Sequence, residues 1–390
     1  MRVCRFNTRI LALFCITLLI LVFITFSGTQ NDRRSESSTY SGKQNALEKT
    51  QTSIDNQHGA RSLKETVKSA SSSTTCKPQD LIIDVAAVVC GMSYRVEEAM
   101  NMVKSILVFT NYQLHFHIVA ENELQDKIEK TFDSFPFNVK EHFQFTMYNL
   151  SFPPGEDWTK WKKLFKTCAS QRLFLPDFIK RDRLVYLDTD TLVLSPIEKL
   201  WHHFSKFNKT QLAAMAKEGE VASLNWYHRF ARHPFYGELG LNSGVMLMDL
   251  KKLRELDFRQ KIIAIYQEHK FNIAWGDQDL LNIYFNKHPD QIYLYPCEWN
   301  YRPDHCMYQN NCHSAIHNGV YVLHGNRGVY HTKKHEAFKA VYDVIRNYKF
   351  GQSIETDIVA KILGIGNLNS DRYCQLMMKT FVKNMLQPNG

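Results

Sequence analysis

The sequence predicts an α/β domain in which a mostly parallel central sheet is covered by helices on both faces. From residue 81 onward, short and almost continuously apolar runs alternate with longer segments whose apolar residues recur at helical spacing. Such runs are typical of strands buried on both faces, and strands that alternate with helices form parallel sheets. Hydrophobic residues make up 44% of the chain and charged residues 22%, which is ordinary for a packed globular domain.

Each element follows from its local pattern. The run at residues 81–89 is almost wholly apolar and predicts the first strand, and apolar residues at helical spacing predict a helix at 96–109. The other predicted elements are strands at 114–119, 143–148, 184–187, 212–215, 245–248, 292–295 and 320–323 and a helix at 169–179. No repeat or linker interrupts residues 81–350, so we expect a single domain there, followed by a C-terminal tail at 351–390.

The N-terminus predicts a membrane anchor. Residues 10–27 carry no charge and no proline, and the apolar part is long enough as a helix to span roughly 25 Å. A cleaved signal peptide is the alternative, because Ser27 and Gly28 are small, but this apolar stretch exceeds the usual length of such a peptide. Three arginines within residues 1–9 place that short tail in the cytosol and all later residues in the lumen.

Several later features agree with a luminal, single-pass type II protein. Residues 28–80 are rich in Ser, Thr, Gln and Asn and predict a disordered stem. Asn149 and Asn208 lie in N-glycosylation triplets, and the short apolar span favours the thin membranes of the endoplasmic reticulum and Golgi. The net charge of +9 is scattered along the chain, so we expect no nucleic-acid partner.

Seven cysteines follow the predicted anchor, and an oxidising compartment favours pairing, so one must remain free. Cys306 and Cys312 are close enough in sequence to close a small loop, and Cys297 lies in the same segment. Cys90 ends an apolar strand and is predicted to be a buried thiol. Zinc is a poor alternative because no second cysteine pair has ligand spacing.

Asp188 and Asp190 follow the strand predicted at residues 184–187 and form the candidate metal site. Side chains two residues apart on an extended segment point the same way, so both carboxylates converge beyond the sheet edge. Hard oxygen ligands of this kind suit Mn²⁺, with Mg²⁺ possible, and such an ion can hold a diphosphate. The same triplet also arises by chance and recurs at 277–279, but an apolar strand has no reason to end in two unpaired carboxylates.

Two glycine-containing motifs accompany this strand. His324 ends a predicted strand and is placed to complete the metal site, whereas Gly325, Arg327 and Gly328 suit contact with phosphate oxygens; a surface turn is the alternative. In the second motif, residues 241–247, polar residues precede a buried strand and its glycine suits close approach by a ligand, although a plain turn explains it equally well.

A third motif begins a helix. Asp277 and Gln278 precede apolar residues at 280, 281, 284 and 285, which have helical spacing. Asp277 is therefore either a functional group or simply the N-cap of the helix, with Asp279 as a partner of the helix dipole. The sequence alone leaves these two interpretations open.

Taken together and in this order, the motifs resemble the retaining glycosyltransferases of family 8, and longer strings are most similar to the glucoside xylosyltransferases. The strings that carry the resemblance are LDTD at 187–190, NSGV at 242–245, GDQDLLN at 276–282, CASQRLFLP at 168–176, WNYRPDHC at 299–306 and HGNRGVYH at 324–331. The resemblance spans about residues 82–350 and implies a GT-A fold in which Mn²⁺ holds a UDP-sugar.

The resemblance also implies roles for individual residues. Asp188, Asp190 and His324 match the metal ligands, and Arg172 matches an arginine that contacts the donor. Asn242 matches a donor-sugar contact, and Asp277 with Gln278 matches the pair that lines the sugar and acceptor side.

Two positions depart from the family pattern. The lysine that binds the diphosphate six residues after the metal histidine is Tyr330 here, which leaves Arg327 or His331 as substitutes. Tyr94 corresponds to the ring that stacks on uracil, with a spacing that differs by one residue. Trp226, Trp299 and Tyr301 offer ring faces to an acceptor sugar, although core packing explains each equally well.

The reaction implied by the resemblance is transfer of α-xylose from UDP-xylose to the 3-hydroxyl of a β-linked O-glucose, with retention, on O-glucosylated EGF-like repeat proteins. One alternative keeps the fold and the metal but uses UDP-glucose or UDP-galactose as donor. The other is a membrane-anchored sugar-binding module without turnover, which the intact group of Asp188, Asp190 and His324 disfavours.

Overall fold

The structure is a computed structural model that describes residues 81–307, 309–365 and 372–386. No helix within these ranges is long and apolar enough to cross a membrane. The predicted anchor and stem lie outside the described residues. The strands are β1 Ile82–Val89, β2 Gln113–Ala120, β3 Phe143–Asn149, β4 Arg183–Leu187, β5 Thr191–Val193, β6 Ala213–Lys217, β7 Leu241–Asp249, β8 Ile292–Leu294 and β9 Val322–His324.

The central sheet confirms the predicted α/β fold. Seven strands are ordered β3-β2-β1-β4-β7-β6-β8. β1, β2, β3 and β4 run parallel, β6 and β8 are parallel to each other, and β7 is antiparallel to both of its neighbours. The carboxyl ends of the parallel strands meet at one edge of the sheet, where ligands bind in folds of this kind.

A second, two-stranded sheet was not predicted. It pairs β5 with β9 in antiparallel register and sets Thr191 opposite His324. β9 overlaps the strand predicted at 320–323, whereas β5 was missed because three residues are too few for a periodic signal. This small sheet brings His324 to the end of β4 across more than a hundred residues of chain.

The helices cover both faces of the central sheet. The α-helices are α1 Tyr94–Phe109, α2 Asn122–Asp133, α3 Phe137–Lys140, α4 Trp158–Lys162, α5 Leu175–Phe178, α6 Glu198–Trp201, α7 Trp226–Phe230, α8 Leu250–Glu255, α9 Phe258–His269, α10 Asp277–Lys287, α11 His313–Asn318, α12 Glu336–Asn347, α13 Ala360–Leu363, α14 Arg372–Leu376 and α15 Met378–Val382. Short 3₁₀ turns include Ala169–Phe174 and Cys297–Asn300.

The helix predicted at 169–179 is instead two short pieces. A 3₁₀ segment covers Ala169–Phe174, and α5 follows it and ends at Phe178. Pro176 lies in the first turn of α5 and has no backbone N–H, so it cannot donate the bond that would continue a single α-helix. The break gives Arg172 its position beneath the end of β4.

Three hydrophobic clusters form the core. One packs α1 and α2 against one face of the central sheet, and a second packs α9 and α10 against the other face. The third lies around β9 and α12 and includes side chains from the predicted C-terminal tail, among them Ile358, Ile362 and Phe381. Over its described residues, this C-terminal segment is therefore part of the packed domain.

The disulfide pairing corrects two predictions. Cys297 pairs with Cys312, so the predicted Cys306 to Cys312 loop is wrong. Cys306 instead pairs with Cys374 of α14, 68 residues away, and thereby ties the C-terminal segment to the domain.

Cys90, predicted to be a buried thiol, pairs with Cys168. Local apolar sequence does not reveal this bond because its partner lies 78 residues away. Cys76, the remaining cysteine after the predicted anchor, lies outside the described residues.

The C-terminal segment provides a test of stability. Phe381 is fully buried and its ring lies 5.6 Å from those of both Tyr301 and Phe338. We expect Phe381→Ala to lower the free energy of unfolding by about 3–5 kcal/mol, because a cavity replaces the ring. Leu386→Ala is the control, since Leu386 is half exposed, and should change it by less than about 0.5 kcal/mol. Urea denaturation measures both, and equal stability of the two variants would contradict this packing.

Candidate active site

Asp188, Asp190 and His324 converge at the carboxyl end of β4, as predicted. The Asp188 N–H donates to the Gly244 carbonyl of β7, which fixes the chain where β4 ends. His324 Nε2 lies 3.4 Å from Asp190 Oδ1 and 3.8 Å from Asp188 Oδ2. One oxygen or nitrogen from each of the three side chains lies within 4.8 Å of the others.

The His324 ring is held with Nε2 toward the aspartates. Its Nδ1 donates to Asn300 Oδ1 at 2.8 Å, and the Asn300 amide in turn donates to Asn242 Oδ1. A hydrogen on Nδ1 leaves the Nε2 lone pair of neutral imidazole facing the two carboxylates. Two carboxylates and one such imidazole are a donor set that fits a divalent cation such as Mn²⁺.

Gly244 makes room for this ring. A Cβ at this position would lie 2.1 Å from His324 Cε1. The sequence predicted that a ligand would approach Gly244 closely, but the group that does so is the His324 ring. Asn242 and Ser243 are part of β7, so the predicted alternative of a plain turn is wrong.

The charges around Asp190 favour its ionised form. Burial alone would raise the pKa of Asp190. In the absence of a metal, the hydrogen bond and charge of a protonated His324, together with the charges of Lys166 and Arg95, outweigh burial and lower this pKa below its usual range. An anionic Asp190 at neutral pH is what a metal ligand requires.

Arg172 joins the two aspartate motifs. Its Nη2 lies 2.9 Å from Asp188 Oδ1, its Nε lies 2.7 Å from Asp277 Oδ2, and its Nη1 donates to the Ser243 carbonyl. The guanidinium also lies over the Tyr186 ring, 4.7 Å from its centroid. Burial alone would lower the pKa of Arg172, but Asp188 and Asp277 outweigh it and raise the pKa. Burial raises the pKa of Asp277 because it removes water from the carboxylate, and the positive charge of Arg172 only partly offsets this.

Asp277 is thus more than a helix cap. It is the first residue of α10, is almost fully buried and faces Arg172, while Gly276 occupies the N-cap position. Asp279, expected to be a dipole partner, accepts the backbone N–H groups of Ala274 and Trp275 with one oxygen.

A buried polar network that the sequence did not predict centres on Glu218. Glu218 Oε2 accepts from Arg302 at 2.6 Å, from Asn242 at 2.7 Å and from Gln278 at 3.3 Å. Gln278 Oε1 also accepts the Ser243 N–H. Through Asn242 and Asn300, the network continues to His324 and links the metal group to Gln278.

The cleft around these residues has two chambers that share Lys166, Ala169, Arg172 and Asp188. The first has a volume of about 230 Å³ and contacts Tyr94, Arg95, Asp190 and the backbone after β1. The second has a volume of about 180 Å³ and contacts both Asn242 and Gln278 together with other polar groups. Arg172 and Asp188 therefore lie at the boundary between the chambers.

Tyr94, Gly325 and Gly328, which were also predicted to contact the donor, lie in different surroundings. Tyr94 begins α1, borders the first chamber and packs edge-on against His331 at 5.3 Å. The Gly325 N–H donates to the Asp190 carbonyl at 2.6 Å, so it is already engaged within the protein. Gly328 has φ +69°, a backbone conformation that favours glycine.

Neither predicted substitute for the missing lysine is a free cation. Arg327 is half exposed and pairs with Asp304 at 3.1 Å, although it borders the second chamber. His331 Nε2 lies 2.5 Å from Glu98 Oε1, and the other Glu98 oxygen pairs with Arg95. Tyr330 itself is buried, and its hydroxyl donates to the Leu323 carbonyl.

Lys166 is the cation that sequence reasoning missed. It is exposed and borders both chambers. Within residues 81–307, 309–365 and 372–386, its ammonium group forms no ion pair. It lies on the loop between α4 and the 3₁₀ segment, where no periodic pattern singles out one lysine among several.

None of the three predicted acceptor rings borders either chamber, although one stacks on a side chain that does. Trp299 stacks on Tyr321 and is buried, and Tyr301 is fully buried. Trp226 is half buried and stacks on Trp275, which borders the second chamber, at 4.3 Å between ring centroids.

Known proteins resemble most of this chain. The profile of glycosyl transferase family 8 matches residues 86–326. Glucoside xylosyltransferase 1 of Gallus gallus is 44% identical over 77% of this chain and 71% of its own length, and that of Homo sapiens is 44% identical over 77% and 70%. A galactosyltransferase crystallised with donor and acceptor sugar analogues has a similar fold, with a TM-score of 0.50 and 17% identity over 70% of this chain and 98% of that chain.

The contact between Gly244 and His324 generates a prediction about metal binding. We expect Gly244→Ala to weaken Mn²⁺ binding by about tenfold or more, because the new methyl group displaces the His324 ring. Isothermal titration calorimetry measures the affinity. Val245→Ala is the matched control, since it removes core volume from the next residue of β7 and should leave Mn²⁺ affinity unchanged. Wild-type affinity in Gly244→Ala would exclude His324 as a ligand.

Proposed function

The chain belongs to glycosyltransferase family 8, and from this membership we propose that it transfers xylose from UDP-xylose to a β-linked glucose on a protein. The proposed product carries xylose on the glucose 3-hydroxyl, the configuration at the xylose anomeric carbon is retained, and the acceptors are O-glucosylated EGF-like repeats. The observation that carries the proposal is the arrangement of two chambers on either side of Asp188 and Arg172.

We assign the first chamber to the nucleotide and the second to the donor sugar and its acceptor. Tyr94 offers a ring to uracil in the first chamber, and Asn242, Asp277 and Gln278 border the second. Asp188, Asp190 and His324 would hold Mn²⁺ between them, where it would neutralise the charge that develops on departing UDP.

Arg172, Lys166 and Arg95 differ in their availability to the diphosphate. Arg172 is committed to Asp188 and Asp277, and Arg95 pairs with Glu98. Lys166 has no such partner in the described part of the chain and reaches both chambers. We therefore assign to Lys166 the phosphate contact that Tyr330 cannot make, since an ammonium group positioned at developing negative charge stabilises the transition state.

A reaction that retains the anomeric configuration without a carboxylate nucleophile is consistent with the side chains of the second chamber. Asp277 is neutralised by Arg172, and one Glu218 oxygen accepts three hydrogen bonds that stabilise the anion. Gln278 is a poor nucleophile. We propose that the bond from the sugar to UDP breaks and that the acceptor hydroxyl attacks from the side that UDP leaves, giving its proton to the departing diphosphate. Gln278, fixed by Ser243 and Glu218, shapes the pocket around the cationic sugar.

To select a pentose over a hexose, the enzyme needs a side chain that fills the space that the C6 hydroxymethyl group of the hexose would occupy. Trp275 borders the sugar chamber and is held by stacking on Trp226, with 24° between the ring planes. Stacking limits the movement of the Trp275 ring, so this side of the chamber is rigid. We assign to Trp275 the exclusion of the hydroxymethyl group.

The placement in the cell is part of the proposal. We propose a type II membrane protein of the endoplasmic reticulum or Golgi that is anchored by residues 10–27. Asn149 and Asn208 are both exposed, as N-glycosylation requires. The three disulfides are consistent with an oxidising lumen.

Donor preference tests the proposed reaction. With a synthetic β-glucoside acceptor and Mn²⁺, kcat/KM for UDP-xylose should exceed that for UDP-glucose or UDP-galactose by well over tenfold, about 1.4 kcal/mol or more. Trp275→Ala should narrow this ratio by admitting the hexoses. Equal use of all three donors by the wild-type enzyme would refute the xylosyltransferase assignment, and full activity in excess EDTA would refute the metal requirement.

Phosphate binding tests the role of Lys166. We expect Lys166→Ala to weaken Mn²⁺-dependent UDP binding by about tenfold, since a charge-assisted contact contributes about 1.5–3 kcal/mol. Lys163→Ala is the matched control, because Lys163 is an exposed lysine of the same loop that borders neither chamber, and it should bind UDP normally. Calorimetry with UDP reports this contact whichever sugar is transferred. Unchanged UDP affinity in Lys166→Ala would remove the assignment.

A further inference from the structure

A second group of potential metal ligands lies on the central sheet, away from the cleft. Asp84 is on β1 and His115 and His117 are on β2, and the parallel register sets Asp84 opposite His115. The three residues share one face because side chains alternate along strands. Asp84 lies four residues before Val88, which borders the nucleotide chamber, so the group is about 13 Å away along β1.

The ligand atoms of this group are close together. His117 Nε2 lies 2.8 Å from Asp84 Oδ1, and His115 Nδ1 lies 3.5 Å from the same oxygen. Ligands about 2.0 Å from a tetrahedral ion would be separated by about 3.3 Å, and the two observed distances bracket that value. One atom from each of the three side chains lies within 4.8 Å of the others.

The bonds around His115 leave one ring nitrogen facing an anion. Its Nε2 lies 2.8 Å from the Thr146 hydroxyl, whereas its Nδ1 is buried and has no hydrogen-bond partner. An unprotonated Nδ1 beside Asp84 sets a lone pair against a carboxylate oxygen, which is unfavourable unless a cation lies between them. Nδ1 lies 3.5 Å from Asp84 Oδ1, which is too long for a hydrogen bond, so a proton on Nδ1 would not bridge the two atoms, whereas a bound ion could.

Each prospective ligand also has an outer partner that fixes its orientation. His117 Nδ1 lies 2.9 Å from the Tyr148 hydroxyl, and Arg181 Nε donates to Asp84 Oδ2 at 2.8 Å. Arg181 engages Oδ2, whereas Oδ1 accepts a hydrogen bond from His117 Nε2, so a bound ion would take the place of that proton. Hydrogen bonds of this kind to the far side of each ligand are typical of zinc and other transition-metal sites.

We propose that Asp84, His115 and His117 bind a divalent transition-metal ion such as Zn²⁺, with water as the fourth ligand. Two imidazoles and one carboxylate favour Zn²⁺ over Mg²⁺ or Ca²⁺, which prefer oxygen ligands alone. The ion would join β1 to β2 near the amino ends of the parallel strands. This proposal does not depend on the reaction at the cleft.

Zinc titration of the full-length protein tests the proposal. Asp188→Ala/Asp190→Ala removes the ligands at the cleft, so that the remaining binding reports this second group. After dialysis against EDTA, competition with a chromogenic chelator should show about one Zn²⁺ bound per chain. Adding His115→Gln to this protein should weaken zinc binding by about tenfold or more.

His142→Gln in the same background is the matched control, since His142 is exposed and precedes β3, and it should leave zinc binding unchanged. Zn²⁺ should also raise the thermal unfolding midpoint of the double aspartate variant but not that of the His115→Gln derivative. Co²⁺ bound to the double aspartate variant should give the intense visible absorption of a four-coordinate ion. Failure of the double aspartate variant to bind Zn²⁺ in the chelator competition, or equal Zn²⁺ affinity with and without His115→Gln, would overturn the proposal.

Discussion

The ion pairs of Arg172 with Asp188 and Asp277 hold the cleft together. Asp188 ends β4 and Asp277 begins α10, so the two carboxylates come from distant parts of the chain and would repel each other without the guanidinium between them. Removing one partner of a buried pair typically costs about 3–5 kcal/mol, because the other charge stays buried and unpaired. The boundary between the two chambers is thus strongly constrained by charge.

The network around Glu218 gives the same cleft a second constraint. Arg302, which is fully buried, places its charge on Glu218, and Asn242 and Asn300 carry the hydrogen bonds onward to His324. A change at Gln278 therefore also disturbs the orientation of a metal ligand. The residues proposed to contact the sugar and those proposed to hold the metal are therefore linked, and we expect the kinetic effects of variants here not to separate into donor and metal contributions.

Sequence reasoning succeeded where the signal was local. The predicted family and α/β fold are confirmed, and the apolar runs located the strands of the central sheet to within a few residues. The convergence of Asp188, Asp190 and His324 was predicted from strand ends and from the resemblance. Glu218, Asn300 and the β5 to β9 pairing were not predicted, because they depend on contacts between residues far apart in the chain. The disulfide partners were predicted wrongly for the same reason. Lys166 was not predicted because no pattern distinguishes it from the other lysines near this irregular loop.

The Cys90 to Cys168 disulfide has a consequence for how the enzyme matures. It links the end of β1, on one wall of the first chamber, to the residue just before the segment that carries Arg172. We therefore expect the two walls to reach their final spacing when this bond has formed. A chain made in a reducing cytosol would have its strands and its aspartates in place and still lack a fixed chamber, so the choice of expression host, and of the reductant in the assay buffer, becomes part of defining the active protein.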